Sequence, residues 1–297
     1  MRQLIRGAVR ANNLDFGYLA CGDGPLALCL HGFPDSPHSY RYLMNDLADA
    51  GYRAVAPFQR GYAPSSIPTD GRYSTDELAN DVVALHEALA GDERAVLIGH
   101  DWGATAAYCG VSRDPTRWRR LVTLSIPPLA AFAKIWSSFD QLKRSFYFWF
   151  FQMNVSDRVV ASGDFSFIEN LWRDWSPQHD ASEDIEHVRE SIGRPENMRA
   201  AMGYYRDMFS PERYGTPAGN EEQFRVWGRR IELPTLYLHG REDGCIALDE
   251  RTMAAIPENF GPGSRAELVD GVGHFLLVEN PKAVNNRILG FVREASI

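Results

Sequence analysis

Short apolar runs of strand length recur along most of this chain and alternate with helix-like segments. The runs lie at residues 26–30, 53–58, 95–98, 121–124, 235–238 and 266–269. Between two of them, apolar residues recur at helical spacing from Leu78 to Leu89, behind a Ser74–Glu77 pair typical of helix N-termini. Strands that alternate with helices form a mostly parallel sheet, because each parallel pair needs a long crossover connection. We therefore predict an α/β fold, with a mostly parallel central sheet flanked by helices.

Residues 129–228 interrupt this alternation. They lack strand-like runs, follow helical patterns and contain many aromatic residues, among them Trp136, Trp149, Trp172 and Trp175. We predict that residues 1–128 and 229–297 build the α/β core, and that residues 129–228 form a helical cap inserted into it. An aromatic insertion above such a sheet would cover a pocket and shape it.

The composition argues against several classes of partner. The net charge is −8 and no run of five basic residues occurs, so a nucleic-acid partner is not expected. No apolar stretch approaches the roughly 20 residues that a membrane helix needs, and the first residues lack the apolar core of a secretory signal. The four cysteines are scattered, without a Cys-x-x-Cys pair, which favours a reduced, cytoplasmic protein. We expect no membrane association, and the sequence leaves a homodimer open.

The sequence contains none of the common motifs that hold cofactors or metals. There is no His-Glu-x-x-His, no P-loop and no Gly-x-Gly-x-x-Gly. We therefore expect no cofactor and no metal, and any chemistry would come from side chains.

A sharp turn is predicted at residues 99–103, Gly-His-Asp-Trp-Gly, between the strand that ends at Ile98 and a helix of small residues. The pattern is that of a nucleophile elbow, in which the glycines let strand and helix approach and the central side chain is exposed. Asp101 would then be the nucleophile. By itself, the pattern is explained equally well by an acidic helix cap at an ordinary turn.

The order of two further residues favours the catalytic interpretation. Asp243 follows the predicted strand at 235–238, and His274 follows the last strand. Nucleophile, acid and histidine occur in this order in α/β-hydrolases, and the carboxyl ends of the strands carry the chemistry of such sheets. We predict a triad of Asp101, Asp243 and His274, with Glu242 as the alternative acid.

Four segments together resemble the epoxide hydrolase and haloalkane dehalogenase branch of the α/β-hydrolase superfamily, and most of all the epoxide hydrolases. They are His-Gly-Phe-Pro at 31–34, Arg-Gly-Tyr-Ala-Pro-Ser at 60–65, Gly-His-Asp-Trp-Gly at 99–103 and Gly-His-Phe at 273–275. The family often has Asp-x-Arg-Gly-Tyr-Gly where residues 58–63 read Phe-Gln-Arg-Gly-Tyr-Ala. The resemblance implies the α/β-hydrolase fold with a helical cap, and a small apolar epoxide as substrate.

An aspartate nucleophile suits epoxides and alkyl halides better than carboxylic esters. A carboxylate that attacks a saturated carbon forms an ester, and water activated by a histidine can hydrolyse that ester and restore the carboxylate. The oxyanion of this hydrolysis needs donors, for which we predict the backbone N–H groups of Phe33 and Trp102, with His31 in the same loop.

The resemblance also implies two lid tyrosines that donate hydrogen bonds to the epoxide oxygen and protonate it as the ring opens. Tyr147 and Tyr205 match those positions, and Tyr204 is the fallback for Tyr205. A neutral phenol, whose pKa is ordinarily about 10, can do this at neutral pH.

Two other functions remain open. A haloalkane dehalogenase would use the same triad and would bind the halide with the indole N–H of Trp102 and a second donor, for which Trp149 qualifies. A non-catalytic hydrolase-like binding protein would keep the pocket and lose triad members, yet all three are present here.

Overall fold

The computed structural model describes residues 2–162 and 164–294. The strands are β1 (Ile5–Ala11), β2 (Leu14–Cys21), β3 (Leu26–Leu30), β4 (Arg53–Pro57), β5 (Val96–His100), β6 (Arg120–Leu124), β7 (Thr235–Gly240) and β8 (Arg265–Val269). The helices are α1 (Arg41–Asp49), α2 (Thr75–Ala88), α3 (Trp102–Arg113), α4 (Leu129–Ile135), α5 (Phe139–Arg144), α6 (Phe146–Phe150), α7 (Ser156–Val160), α8 (Ser166–Trp175), α9 (Ser182–Ile192), α10 (Pro195–Met208), α11 (Pro217–Val226), α12 (Glu250–Ala255), α13 (Leu276–Glu279) and α14 (Pro281–Arg293). Short 3-10 turns lie at Pro37–Tyr40, Pro115–Arg117 and Ile256–Asn259.

The strands form one eight-stranded sheet in the order β1-β2-β4-β3-β5-β6-β7-β8. β2 pairs antiparallel with β1 and with β4, whereas every pair from β4 to β8 is parallel. In the centre, Leu28 lies between Val55 and Leu97. β3, β5, β6 and β7 are buried along their whole length, which explains why their sequences are apolar without alternation. The predicted α/β fold with a mostly parallel sheet is confirmed.

The hairpin of β1 and β2 was not among the predicted strands. β1 lies at the edge of the sheet and is mostly exposed, with Arg6 and Arg10 on it and Ile5 68% exposed. Such a strand has no apolar run, because only part of its surface packs on the core, and the sequence signal is correspondingly weak.

Local sequence determines how α2 and α3 begin. The predicted cap of α2 is present, since the Ser74 hydroxyl accepts a hydrogen bond from the Glu77 backbone N–H at 3.4 Å. At the start of α3, a β-carbon on Gly103 would overlap the carbonyl of Leu30. A glycine there lets α3 begin in direct contact with β3, which fixes the turn that precedes the helix.

Helices α4 to α11 lie between β6 and β7, and their described residues include no strand. We call residues 129–228, which contain these helices, the helical insertion. It is joined to the core by Trp172, whose indole N–H donates to the Pro34 carbonyl at 2.7 Å and whose ring stacks on Phe275. Within residues 2–162 and 164–294, no helix combines the length and the apolar character needed to cross a bilayer.

The parallel strands end at one edge of the sheet, where the segments that follow them converge. Phe33 follows β3, Asp101 follows β5, Asp243 follows β7 and His274 follows β8. Residues distant in sequence therefore meet at the carboxyl edge of the sheet, which is where open α/β sheets place their sites.

Candidate active site

Asp101 lies in the turn between β5 and α3, with φ 54° and ψ −122°. Residues with a β-carbon rarely adopt positive φ, so this backbone is strained. The side chain does not cap α3; its Oδ1 accepts a hydrogen bond from the backbone N–H of Phe33 at 2.7 Å. The helix-cap explanation of this turn is therefore excluded, and the carboxylate faces the loop after β3.

The loop after β3 approaches Asp101 closely because residue 32 is glycine. A β-carbon on Gly32 would overlap the Asp101 carboxyl group. This approach brings the Phe33 N–H to the carboxylate, and Trp102, the residue after Asp101, is the first residue of α3. The Trp102 N–H lies in the first turn of α3, where such groups have no partner inside the helix, and the Phe33 N–H already donates to Asp101. Both groups therefore suit the predicted role of oxyanion donors.

His274 lies between the two predicted triad carboxylates. Its Nδ1 is 3.0 Å from Oδ2 of Asp243, and its Nε2 is 3.6 Å from Oδ2 of Asp101. Oδ1 of Asp243 accepts hydrogen bonds from the backbone N–H groups of Cys245 and Ile246, at 2.7 and 3.0 Å. The structure thus brings the three predicted residues together with His274 in the middle.

Glu242, the alternative acid, is oriented elsewhere. It is exposed and accepts a hydrogen bond from the side chain of Gln178 at 2.6 Å. Asp243, in contrast, is buried and bonded to His274. Of the two neighbouring acids, only Asp243 has the geometry to orient the histidine.

In the protein without substrate, electrostatics favour a protonated His274 paired with the carboxylates of Asp243 and Asp101. Burial disfavours the imidazolium of His274, but the carboxylates of Asp243 and Asp101 outweigh it and raise the pKa of His274 to about 10. Burial also acts to raise the pKa of Asp243, yet the charge and hydrogen bond of His274 outweigh it and the pKa lies below its usual value. His274 is therefore charged at neutral pH as long as Asp101 is ionised.

A small apolar pocket of about 30 Å³ opens at Asp101. Side chains from the core and from the helical insertion line it together: Asp101, Trp102, Thr105, Ile126, Phe132, Tyr147, Phe148, Tyr205, Met208, Phe209, Trp227 and Ile246. Both predicted lid tyrosines are thus in the same pocket as Asp101. The volume has room for about one or two water molecules.

The two tyrosines are buried and in contact. The ring centroids of Tyr147 and Tyr205 are 5.4 Å apart, and Tyr205 packs edge-on against Phe33 and Trp102. The Tyr147 hydroxyl lies 3.4 Å from the Sγ of Cys245. Burial raises the pKa of both phenols well above the usual value of 10, so both are protonated at neutral pH.

The predicted residues Trp149 and His31, and the fallback Tyr204, are absent from the lining of this pocket and make their contacts elsewhere. Trp149 is 36% exposed and packs against Trp136 and Tyr214. His31 is buried in the loop after β3, where its Nε2 accepts from the backbone N–H of Gln59 at 3.1 Å. The fallback Tyr204 donates its hydroxyl hydrogen bond to the Arg60 carbonyl at 2.9 Å.

Asp243, Cys245 and His274 carry the one group of metal-ligand atoms found close together in the described residues, all within 4.8 Å of one another. These atoms already have partners, since His274 bonds Asp243 and the thiol contacts Tyr147. The group is thus explained as a hydrogen-bonded network.

Several lining residues were not identified from the sequence. Phe132, the adjacent Met208 and Phe209, and Trp227 come from three separate parts of the helical insertion and carry no motif. Cys245 does not line the pocket, and in the sequence it is only one of four scattered cysteines, yet it links the Asp243 loop to Tyr147. Its position two residues after the acid was the only signal in the sequence.

Comparisons with known proteins agree with this fold. A family model described as alpha/beta hydrolase fold matches residues 25–281. The chain is 28% identical to the AB hydrolase superfamily protein YfhM of Bacillus subtilis, covering 96% of each chain. It is 29% identical to Epoxide hydrolase A of Mycobacterium tuberculosis, covering 90% of each. The crystal structure of Bacillus megaterium epoxide hydrolase in complex with an inhibitor matches with a TM-score of 0.82 and 25% identity, over 97% of this chain and 100% of that one.

The family model covers most of the chain, and the chain therefore belongs to the α/β-hydrolase family.

Proposed function

We propose that this protein hydrolyses epoxides to vicinal diols through a covalent ester on Asp101. The observation that carries the proposal is one pocket that joins the Asp101 carboxylate with two protonated phenols, Tyr147 and Tyr205. Epoxide opening needs both groups at once, because a ring carbon is attacked while the ring oxygen gains a proton. Relatives named as epoxide hydrolases support the same chemistry.

In the first step, an oxygen of Asp101 forms a bond to a ring carbon and the carbon–oxygen bond of the ring breaks. Oδ2 is suited to the attack, because Oδ1 is held by the Phe33 N–H at 2.7 Å. The departing oxygen is strongly basic and takes a proton from Tyr147 or Tyr205, which leaves a phenolate. The products of this step are an ester on Asp101 and a free hydroxyl on the substrate.

Ester formation then changes the state of His274. At rest, the charges of Asp243 and Asp101 hold a proton on this histidine. The ester is neutral, so one of those charges is lost and the pKa of His274 falls. The imidazolium can then return a proton to the phenolate. His274 becomes a neutral base only when there is an ester to hydrolyse.

In the second step, water attacks the ester carbonyl and gives a proton to His274, whose ring Asp243 orients. The Phe33 and Trp102 N–H groups stabilise the oxyanion, and each such donor typically contributes about 3–4 kcal/mol. The intermediate collapses as the bond between Cγ and Oδ2 of Asp101 breaks, and the new carboxyl group gives its proton to Oδ2, which stays bonded to the substrate carbon. The water oxygen stays on Asp101, and an oxygen of Asp101 leaves in the diol.

Haloalkane dehalogenation is the second candidate, and Trp227 is the observation that favours it. Trp149 lies outside the pocket, but Trp227 lines it together with Trp102, so two indoles are available. A halide leaves as a stable anion and needs no proton from a tyrosine. The two reactions share a triad and differ in their need for the phenols.

A single turnover in ¹⁸O-labelled water tests the proposal, with styrene oxide, 1,2-epoxyhexane and 1-bromohexane as substrates. We expect label in the Asp101 peptide before it appears in the diol. Asp243→Asn should slow ester hydrolysis, whereas the neighbouring Glu242→Gln, which is exposed, serves as the matched control. Label that enters the diol directly, with Asp101 unlabelled, would contradict the ester. Turnover of bromohexane alone would assign a dehalogenase, and turnover of nothing would indicate a binding protein.

A further inference from the structure

A second and larger cavity, of about 340 Å³, lies beside the Asp101 pocket within the helical insertion. We call it the outer chamber. Its walls come from α4, the end of α10 and the segment around α11, and they include Ala133, Trp136, Tyr214, Asn220 and Gln223. The volume is at the lower end of the roughly 300–1,000 Å³ of small-molecule sites.

The outer chamber and the Asp101 pocket share a wall. Phe132, Met208, Phe209 and Trp227 line both. The ring centroid of Phe209 is 6.5 Å from that of the pocket residue Tyr205, so aromatic rings connect the two spaces. The Asp101 pocket, at about 30 Å³, has no room for more than the reacting group. The rest of a substrate must extend beyond the shared wall, and the outer chamber is the adjacent space large enough to take it.

The lining of the outer chamber indicates the chemistry of what it holds. Among the described residues, no charged side chain lines it, and its polar side chains are neutral amides and one phenol. Nearby arginines are committed elsewhere: Arg213 pairs with Glu222 and Arg225 pairs with Asp76, each at 2.9 Å. The chamber opens to solvent at Ala133, Asn220 and Phe224, so a carboxylate there would lose part of its hydration. No cation among the described lining residues would replace that hydration, which is unfavourable.

We propose that the outer chamber binds the uncharged, apolar body of an elongated epoxide whose ring reacts at Asp101, and that it discriminates against substrates with a carboxylate on that body. This inference rests on the proposed function. Met208 in the shared wall is unbranched and flexible, which suits a passage that widens for the substrate.

The first experiment narrows the chamber. Ala133→Trp puts an indole on the α4 wall, and Lys134→Trp puts the same group on the adjacent residue, which does not line the chamber. The measured quantity is the ratio of kcat/KM for 1,2-epoxydecane to that for 1,2-epoxybutane. We expect Ala133→Trp to lower this ratio about 10- to 200-fold, the range for lost apolar pocket contacts, and Lys134→Trp to leave it unchanged.

The second experiment tests charge selection with a matched pair of substrates, 10,11-epoxyundecanoic acid and its methyl ester. We expect the wild type to prefer the ester by at least about tenfold. Asn220→Lys adds a cation to the chamber wall and should reverse or abolish that preference. Glu221→Gln changes the net charge by the same amount at the next residue, which does not line the chamber. This control variant should keep the wild-type preference for the methyl ester.

The outcomes separate this inference from the proposed function. If epoxides are hydrolysed but the acid and ester react equally, or Ala133→Trp leaves the chain-length ratio unchanged, the outer chamber does not hold the substrate. If neither epoxide is hydrolysed by the wild type, the proposed function itself is wrong.

Discussion

The α/β core and the helical insertion contribute opposite chemistry to the same pocket. The core supplies ionisable groups, each with hydrogen bonds that fix it: Asp101 by Phe33, and Asp243 by two backbone N–H groups and His274. The insertion supplies apolar and aromatic side chains, and among its described residues Tyr147 and Tyr205 are the titratable groups that line the pocket. The charged groups thus lie on the segments that follow parallel strands of the sheet, and the helices determine the shape of the pocket.

Because the two regions supply different groups, each region should control different steps of the proposed reaction. Ester formation needs the core nucleophile and the phenols of the insertion, whereas ester hydrolysis needs His274 and the oxyanion donors of the core. Substitutions in the two regions should therefore separate the two steps.

The largest effect is expected for Asp101→Ala. Without a carboxylate no ester can form, and epoxide turnover should fall by at least about 10⁴-fold, as for other essential catalytic groups. The measurement is single-turnover kinetics together with intact-protein mass spectrometry, after circular dichroism has shown that the fold is retained. Detectable alkyl-enzyme in this variant would mean that the nucleophile is another residue.

His274→Gln, in the α/β core, should slow ester hydrolysis and leave ester formation nearly unchanged. Asp101 needs no base to attack, so the ester should still form, while its hydrolysis should slow about 10²- to 10⁴-fold. The protein should therefore gain the mass of one substrate and keep it. Steady turnover at the wild-type rate would remove His274 from the mechanism.

The double variant Tyr147→Phe/Tyr205→Phe, in the helical insertion, should slow ester formation without slowing ester hydrolysis to the same extent. Ester formation from styrene oxide should slow by an amount in the range of about 10²–10⁴-fold, and each single variant should show less, because one phenol can replace the other. Ester formation from 1-bromohexane, if it occurs, should not be slowed by these tyrosine substitutions. Tyr204→Phe is the control, since that hydroxyl bonds the Arg60 carbonyl outside the pocket. Unchanged epoxide alkylation in the double variant would refute the role of the phenols.

A smaller effect is expected on stability. The folded-state pKa of His274 is about 10 against an ordinary 6.5, so its contribution is complete below pH 6.5 and is lost as the pH rises to about 10. The wild type should exceed His274→Gln in unfolding free energy at pH 6.5 by an amount on the order of a few kcal/mol, and this difference should shrink by pH 10. Urea unfolding of both proteins at several pH values measures it. A difference independent of pH would show that the ion pair does not hold the proton.

The sequence predicted the core better than the insertion, for a physical reason. Buried strands are apolar runs, and the residues after them must meet at one edge of the sheet, so Asp101, Asp243 and His274 could be placed together. In a helix, the face that a residue occupies depends on register. Tyr147 and Trp149 are two residues apart and cannot share a face, and the sequence alone could not decide which of them lines the pocket.

The strained backbone of Asp101 bears on how this protein can be engineered. A positive φ in a residue with a β-carbon stores energy of about 1–3 kcal/mol, and glycine would release it. Selection for heat resistance alone would therefore favour replacing the very residue proposed to react. Directed evolution of this chain should score product formation in every round, because its thermostability and its turnover make opposite demands at position 101.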